Sequence, residues 1–460
     1  MTAPSSTSRT LSTPSDASVV ETAGAEPIPL DRRHGSPHQL LWTWASPQVG
    51  FATVFIGILS VTAFGLSFWQ AAAALVLGAA LGSAAHAALS TDGPRFGVPQ
   101  MVVGRLAFGR RGAALPAAGN ALVTGIGWFA VNSLGGAFAL SSLTGLAPFA
   151  CLLIVVTLEI VIGYVGHDLV HRFEQYAFPV LAVVFALAGI WIFKGAALSA
   201  PSDGGGVGGF LLAFSACFGF TAGWNPSASD YSRYLPPSTP VWKTALYPAL
   251  GLFLSISAVA LIGAASGTVA APDGVSPTDA FTGQLPGWLS SLTLLAIVLG
   301  AMAAGTLNVY SAAVSLSSLA LKLPKWLGRA GLAVLTGAAG TAAAAASISD
   351  AGHAFESFLL VIAYWIAPWL GVVLTEQALR RGTSDAELAA RLADPAYRDR
   401  AGVIALLVGI AVSVPVFSNQ QTYVGWAPAA WPAIGDLTCP VGLVLSAAVY
   451  AVLRQRTNKK

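Results

Sequence analysis

The sequence predicts an all-α polytopic membrane protein with twelve transmembrane helices. Three observations predict it. The 460-residue chain is 55% hydrophobic and only 9% charged, with a mean hydropathy of +0.70. That composition excludes an ordinary soluble domain and calls for lipid as solvent. Apolar runs of spanning length recur along nearly the whole chain, divided by short polar loops. The basic residues also segregate. With twelve spans and the N-terminus inside, only Lys194 of the 23 Lys and Arg falls outside, as the positive-inside rule requires.

Residues 1–28 are rich in Ser, Thr, Ala and Pro and have no apolar h-region, so they read as a disordered cytoplasmic tail rather than a signal peptide. One transmembrane domain follows over 29–453, and 454–460 form a second cytoplasmic tail. The spans are expected at 41–67, 69–89, 113–141, 147–166, 174–194, 208–230, 244–267, 287–320, 329–346, 355–378, 401–418 and 432–453. The charged stretch 379–400 is a cytoplasmic linker with room for a short surface helix. Together these place a multi-pass protein in the plasma (inner) membrane with both termini in the cytoplasm. No soluble part is large enough for its own core. Gly204 to Gly209 lack the lysine of a phosphate-cradling loop, which argues against ATP-driven work. The scattered basic residues give no nucleic-acid signature.

Two spans are interrupted. Span 6 reads Gly219-Phe220-Thr221-Ala222-Gly223-Trp224-Asn225-Pro226 inside apolar sequence, and span 1 carries Trp44-Ala45-Ser46-Pro47-Gln48-Val49-Gly50. A proline kink alone would explain either one. Unpaired backbone at membrane depth survives only where it lines a buried or watered cavity. Interrupted segments at matching positions in two halves point to the binding site of an inverted-repeat transporter.

Around these breaks lie aromatic and carboxamide groups without a dominant charge. Gln48 is in span 1, and Trp128 and Asn132 share one face of span 3 at i, i+4. Phe220, Thr221 and Trp224 are in span 6, and Asn308 is in span 8. Flat faces for stacking and amides for hydrogen bonding suit an uncharged planar heterocycle. Taken singly, a membrane Trp is an interface anchor and a membrane Asn an interhelical hydrogen bond; the joint pattern carries the reading. Glu159 in span 4 is either paired with a loop arginine or a proton carrier, because a carboxylate at membrane depth needs a partner or a role. Asp230 and Arg233, three residues apart, are expected to pair, and His86 to be a packing residue. Cys151, Cys217 and Cys439 sit alone as inert thiols, and the six histidines show no metal-ligand cluster, so no metal or cofactor is expected. The lack of such a cluster also argues against a membrane enzyme. A gated channel is the other alternative.

The chain resembles the nucleobase–cation symporter family, close to its purine–cytosine permease branch and related to its hydantoin/allantoin permeases. The resemblance rests on EPIPLDRR (26–33), Trp42 to Val49, GRLAFGRRG (104–112), GIGWFAVN (125–132), GYVGHDLVHRFEQY (163–176), SDYSRYLP (229–236) and LNVYSAAVSL (307–316). It implies a five-plus-five inverted repeat of LeuT-like type, with repeat one over 41–194, repeat two over 208–378 and two extra C-terminal helices over 401–453. It implies alternating access around a midplane site. There a nucleobase such as cytosine or a purine would stack on Trp128 and on Phe220 or Trp224, with polar contacts from Gln48, Asn132, Thr221 and Asn308. Gln48 is closer to the hydantoin-type pattern, which leaves a cyclic ureide or a vitamin-like ring open as substrate. Coupling is to H+ or Na+, with Glu159, Asp230 and Thr306 as coupling residues. Sodium-coupled relatives carry hydroxyls before the span 8 asparagine; here the stretch is Ala301-Met302-Ala303-Ala304-Gly305-Thr306, which favours the proton. The expected partners are the small planar substrate, the cation and the bilayer, with the monomer as functional unit.

Overall fold

The computed structural model describes residues 21, 24–270, 275–319, 327–420 and 423–458. Among these there is no strand, only an isolated bridge between Asn419 and Val424. The first span is two helices, α1 (Gln39–Ala45) and α2 (Phe51–Thr62), joined by a 3-10 turn over Ser46–Gln48. Then come α3 (Phe68–Ser90), α4 (Ala114–Leu122) and α5 (Phe129–Thr144), α6 (Pro148–Val165), α7 (His167–Gly195), α8 (Gly206–Ala222) and the short α9 (Ala228–Ser232). The second half holds α10 (Val241–Ser266), α11 (Gly287–Ser317), α12 (Arg329–Ser347), α13 (Ala351–Leu379), the amphipathic α14 (Asp385–Ala393), α15 (Ala401–Phe417) and α16 (Thr438–Asn458). Nine helices among the described residues are long and apolar enough to span a membrane, and the bent first pair makes ten.

Proline and glycine dictate the first break. Pro47 cannot donate a backbone hydrogen bond, and Gly50 is extended at φ −154°, ψ 176°. The axes of the two half-helices therefore differ by 56°. The sixth span departs from the expected deep break. α8 runs unbroken to Ala222, and a 3-10 turn over Asn225–Ser227 rejoins it to α9, so Gly206–Ser232 remains one span. Its glycines serve packing. A Cβ at Gly219 would lie 2.9 Å from that of Ala363 on α13, and one at Gly223 3.1 Å from the Trp128 indole nitrogen.

Close backbone approach organises the core. A Cβ on Gly57 would fall 2.0 Å from the Ala260 carbonyl oxygen, and one on Gly263 1.9 Å from that of Val54. Only glycine at both positions lets α2 and α10 cross so tightly. A Cβ on Gly300 would lie 2.5 Å from the Val49 carbonyl oxygen, so α11 packs directly on the unwound part of the first span.

The bundle has two distinct ends. At one, Arg380 meets Asp92 at 2.5 Å, Arg95 reaches Asp385, and Arg454 near the C-terminus pairs with Asp399 at 2.7 Å. Ile28 and Arg33 join the same end through the Gly97 and Pro94 carbonyls. At the other, Gly65 accepts from Asp203 and Gly205, and Ser142 donates to Asp279.

Several expectations change. Residues 1–20, 22 and 23 of the expected disordered tail lie outside the described residues. Glu21 and 24–28 do not: Glu21 N donates to Val165 O and Ile28 N to Gly97 O, both at 2.9 Å. α7 begins at His167, seven residues before the expected start of span 5, and α16 continues through 454–458, which were expected to be tail. Arg233 pairs not with Asp230 but with Glu21, at 3.5 Å.

Candidate functional site

Six of the seven candidate substrate residues lie where the first break, the α4–α5 helix and the end of α8 meet, and Asn308 lies on α11. Between α4 and α5 the backbone winds as a π-helix over Val123–Trp128. Such turns are frequent at functional sites, because one extra residue per turn re-aims the side chains that follow. Here Asn120 donates to Ser315 and Thr124 to Asn120, which pins the stretch to α11. Gly125 and Gly127 leave room for Ala312 and the Phe358 ring. Trp128 ends the π stretch edge-on to Phe220 (centroids 5.1 Å apart, 84°) and to Phe358 (4.9 Å, 84°).

Trp224 donates its indole N–H to Gln48 Oε1 at 3.1 Å, joining the sixth span to the break in the first. Trp44 stands edge-on to Trp224 at 5.8 Å, and to His86 at 4.3 Å. His86 Nδ1 lies 3.0 Å from Asn225 Oδ1, while its Nε2 has no partner. It therefore holds the 225–227 turn against α3, beyond simple packing.

The unpaired polar atoms are the informative ones. Gln48 Nε2 and both amide atoms of Asn308 are fully buried without hydrogen-bond partners among the described residues. Buried polar groups are normally satisfied, and leaving one bare costs about 1–3 kcal/mol. Asn132 spends one N–H on the Trp128 carbonyl at 2.9 Å. Thr221 turns away: its hydroxyl donates to Cys217 O at 2.8 Å, and its methyl side packs on Gly82 of α3.

A cavity of about 380 Å³ reaches this region from the end of the bundle opposite the chain termini, between residues 276–278 and 347–349. Pro47, Gly50, Gly127, Asn132, Phe355 and Phe358 are among its lining residues. Of the seven candidate substrate residues only Asn132 lines it; Gln48 and Trp128 lie one residue behind Pro47 and Gly127. The volume falls in the range of small-molecule sites, roughly 300–1,000 Å³.

Three carboxylates sit at depth. Glu159 accepts from Ser133 at 2.6 Å, keeps Oε1 unpaired, and packs on α11 where Gly305 leaves space: a Cβ there would be 2.3 Å from the carboxylate. No loop arginine reaches it among the described contacts. Asp230 accepts from the Gln100 backbone at 3.1 Å. Glu174 on α7 was not singled out from sequence. It is fully buried, both its oxygens lack partners, and Ser46 of the first break lies beside it without completing a hydrogen bond. Its place at the expected edge of a span hid it. Thr306 Oγ1 is also buried and unpaired.

At the end bearing the termini, Glu21 closes the floor. Its carboxylate meets Arg233 at 3.5 Å, Arg329 at 3.7 Å, Tyr310 at 3.3 Å and the hydroxyl of Tyr234, and accepts from the His167 backbone N–H at 2.9 Å. Gly166 at φ +115° makes the turn that aims that N–H, and a Cβ there would strike Glu21 at 2.6 Å. Histidines dispersed in the sequence also converge here. His34, His167 and His171 form a chain of neighbouring rings that Trp42 extends to His38, with His167 and His171 parallel at 5.9 Å.

Residues 27–438 match the family described as permease for cytosine/purines, uracil, thiamine, allantoin. YxlA of Bacillus subtilis, which bears the name of a purine-cytosine permease, is 29% identical, with 96% of this chain and 97% of that one aligned. The purine-cytosine permease fcyB of Emericella nidulans is 27% identical over 95% and 88% of the two chains. Among solved structures, Mhp1, a nucleobase-cation-symport-1 family transporter in a closed conformation with bromovinylhydantoin bound, shares the fold. Its TM-score is 0.76 at 18% identity over 96% of each chain. With a family match over most of the chain, permease relatives and this all-helical fold in agreement, the chain belongs to the nucleobase–cation symporter family, a family of membrane permeases and not of enzymes.

Proposed function

We propose that this protein imports a nucleobase, cytosine or a purine, together with a cation by alternating access. The observation that carries the reading is Gln48 at the first break, beside the Trp44 and Trp224 indoles: its Oε1 takes the Trp224 N–H, its buried Nε2 has no partner among the described residues, and both amide atoms of Asn308 on α11 are likewise bare. An uncharged ring with donors and acceptors on its edge would satisfy those atoms and stack on those faces. The membrane would be the plasma (inner) membrane. The arginine-rich end with both termini would face the cytoplasm, as the positive-inside rule requires, so the cavity would open outward. Repeats over 41–194 and 208–378, followed by helices within 401–453, are the frame on which the two halves would rock, with one chain as the working unit.

A cyclic ureide such as hydantoin or allantoin is the second reading. Gln48 in the first break favours it, the family description includes allantoin, and Mhp1 is described with a hydantoin bound. Uptake of radiolabelled cytosine, adenine, uracil, allantoin and hydantoin by a transport-null host separates the two. Saturable cytosine or adenine uptake is expected, and uptake confined to the ureides overturns the first reading.

The cation is assigned to the proton. Among the described residues no cation pairs with Glu159, and Thr306 is the one side-chain oxygen in the 301–306 stretch. Glu159→Gln is therefore expected to flatten the rise of uptake with external acidity while leaving binding within a few-fold. Unchanged pH dependence removes Glu159 as the carrier. Uptake that demands Na+ at constant membrane potential removes the proton. Asp230 and Thr306 are the remaining coupling positions.

A further inference from the structure

We propose that His34, His167 and Asp168 form a binding site for a divalent transition metal of the zinc class, and that the loaded site holds the terminus-bearing end of the bundle closed. One ligand atom from each of the three lies within 4.8 Å of the others. Atoms bound tetrahedrally at zinc distances lie roughly 3.3–3.5 Å apart. His34 Nε2 and Asp168 Oδ1 are already 3.6 Å apart. Both belong to exposed side chains whose rotation closes the remaining gap.

The environment suits a metal better than a simple ion pair. His34 Nδ1 lies 2.8 Å from the Arg32 carbonyl oxygen, so the proton sits there and Nε2 presents its lone pair. A metal-bound histidine usually donates its second ring N–H in this way. His167 is 8% exposed and held face to face with Tyr234 at 3.8 Å, and its Nδ1 has no partner. His171, also with an unpartnered ring nitrogen, lines the same open cavity of about 410 Å³. Water can thus complete the coordination, as in three-ligand zinc sites. An exposed His–Asp pair alone contributes little and would leave the buried His167 unexplained. Arg172 lines the cavity, but Arg233 beyond it is engaged by Glu21.

The site joins elements that must part if this end opens. His34 precedes α1, and its backbone N–H donates to Tyr234 O at 2.7 Å, just past α9. His167 and Asp168 begin α7. A metal across them would add coordinate bonds to the closed state alone, which shifts the equilibrium toward closure. That consequence rests on the transporter reading; the binding does not.

The test uses the purified full-length protein with Zn2+ and Co2+ as probes. One Zn2+ per chain is expected, along with the visible absorption of tetrahedral Co2+. His34→Ala and Asp168→Asn should each weaken binding at least tenfold, while His38→Ala, four residues from His34 and outside the triad, should not. No stoichiometric binding, or equal binding by all variants, overturns the site. In proteoliposomes, Zn2+ supplied to the terminus-bearing side should slow uptake of whichever ring is carried, and Asp168→Asn should remove the inhibition. Binding without inhibition overturns the closing role, whereas binding with no uptake of any tested ring leaves the site standing and removes the transport reading.

Discussion

Trp128→Ala is expected to abolish saturable uptake while the protein still reaches the membrane. Trp128 is 5% exposed, and its indole is gripped edge-on by Phe220 and Phe358 beside the cavity. Losing one stacking face costs a bound ring about 1–3 kcal/mol, which is roughly 5–150-fold in affinity. The truncation also frees the two phenyl rings that the indole separates, so the surviving site loses its shape. Trp128→Phe keeps a flat face and the packing volume of one ring, and should retain uptake with KM raised several-fold. Surface abundance and KM, measured for both variants, separate folding from binding. Normal uptake by the alanine variant places the pocket elsewhere.

The first break was legible because its cause is local. Pro47 and Gly50 interrupt a helix whatever surrounds them, and the 56° bend sits between them. The sixth span was over-read for a physical reason. Glycine is both a helix breaker and a packing residue, and sequence does not say which. Gly219 and Gly223 turn out to admit Ala363 and the Trp128 indole, so the helix survives to Ala222. The proline of that segment, Pro226, acts where it stands, in the 225–227 turn.

The aromatic and amide candidates of spans 1 and 6 stand out in the sequence because they flank the two suspected breaks. The candidates' division of labour does not. Thr221 and Asn308 look equivalent in sequence, yet Thr221 satisfies itself on Cys217 O while the Asn308 side chain has no partner among the described residues. The π-helix ending at Trp128 has no residue signature, since an i→i+5 turn uses ordinary residues. The Glu21 contacts and the histidine cluster depend on separations of more than a hundred residues, as from Glu21 to His167 or His34 to Asp168. A Ser/Thr/Ala/Pro-rich segment carries no periodic signal, so one acidic residue within it gives no hint that its partners are buried arginines.

That acidic residue is the subject of the second large effect: Glu21→Gln is expected to loosen the terminus-bearing end. The side chains of Arg233 and Arg329 are both fully buried, and Glu21 is the carboxylate they share. Neutralising it leaves the two guanidiniums bonded, among the described residues, to neutral acceptors such as the Gly24 and Gly163 carbonyls, with Asp230 the remaining carboxylate near Arg233. Removing one partner of a buried ion pair costs about 3–5 kcal/mol. The carboxylate also ties the α6–α7 turn to Tyr234 beyond α9, to α11 and to α12. Opening this end would break all of these contacts, so the loss falls on the closed state. An equilibrium set by a few kcal/mol then moves by two orders of magnitude or more. Amide exchange should quicken over 163–172 and 231–235 and stay unchanged at the Gly57–Gly263 crossing of α2 and α10, where no partner of Glu21 reaches. Uptake should fall, because a carrier resting open at one end seldom presents its cavity at the other. Exchange equal to that of the native protein would mean that the segment only rests on the floor of the bundle, and that the two arginines are held by the backbone carbonyls alone.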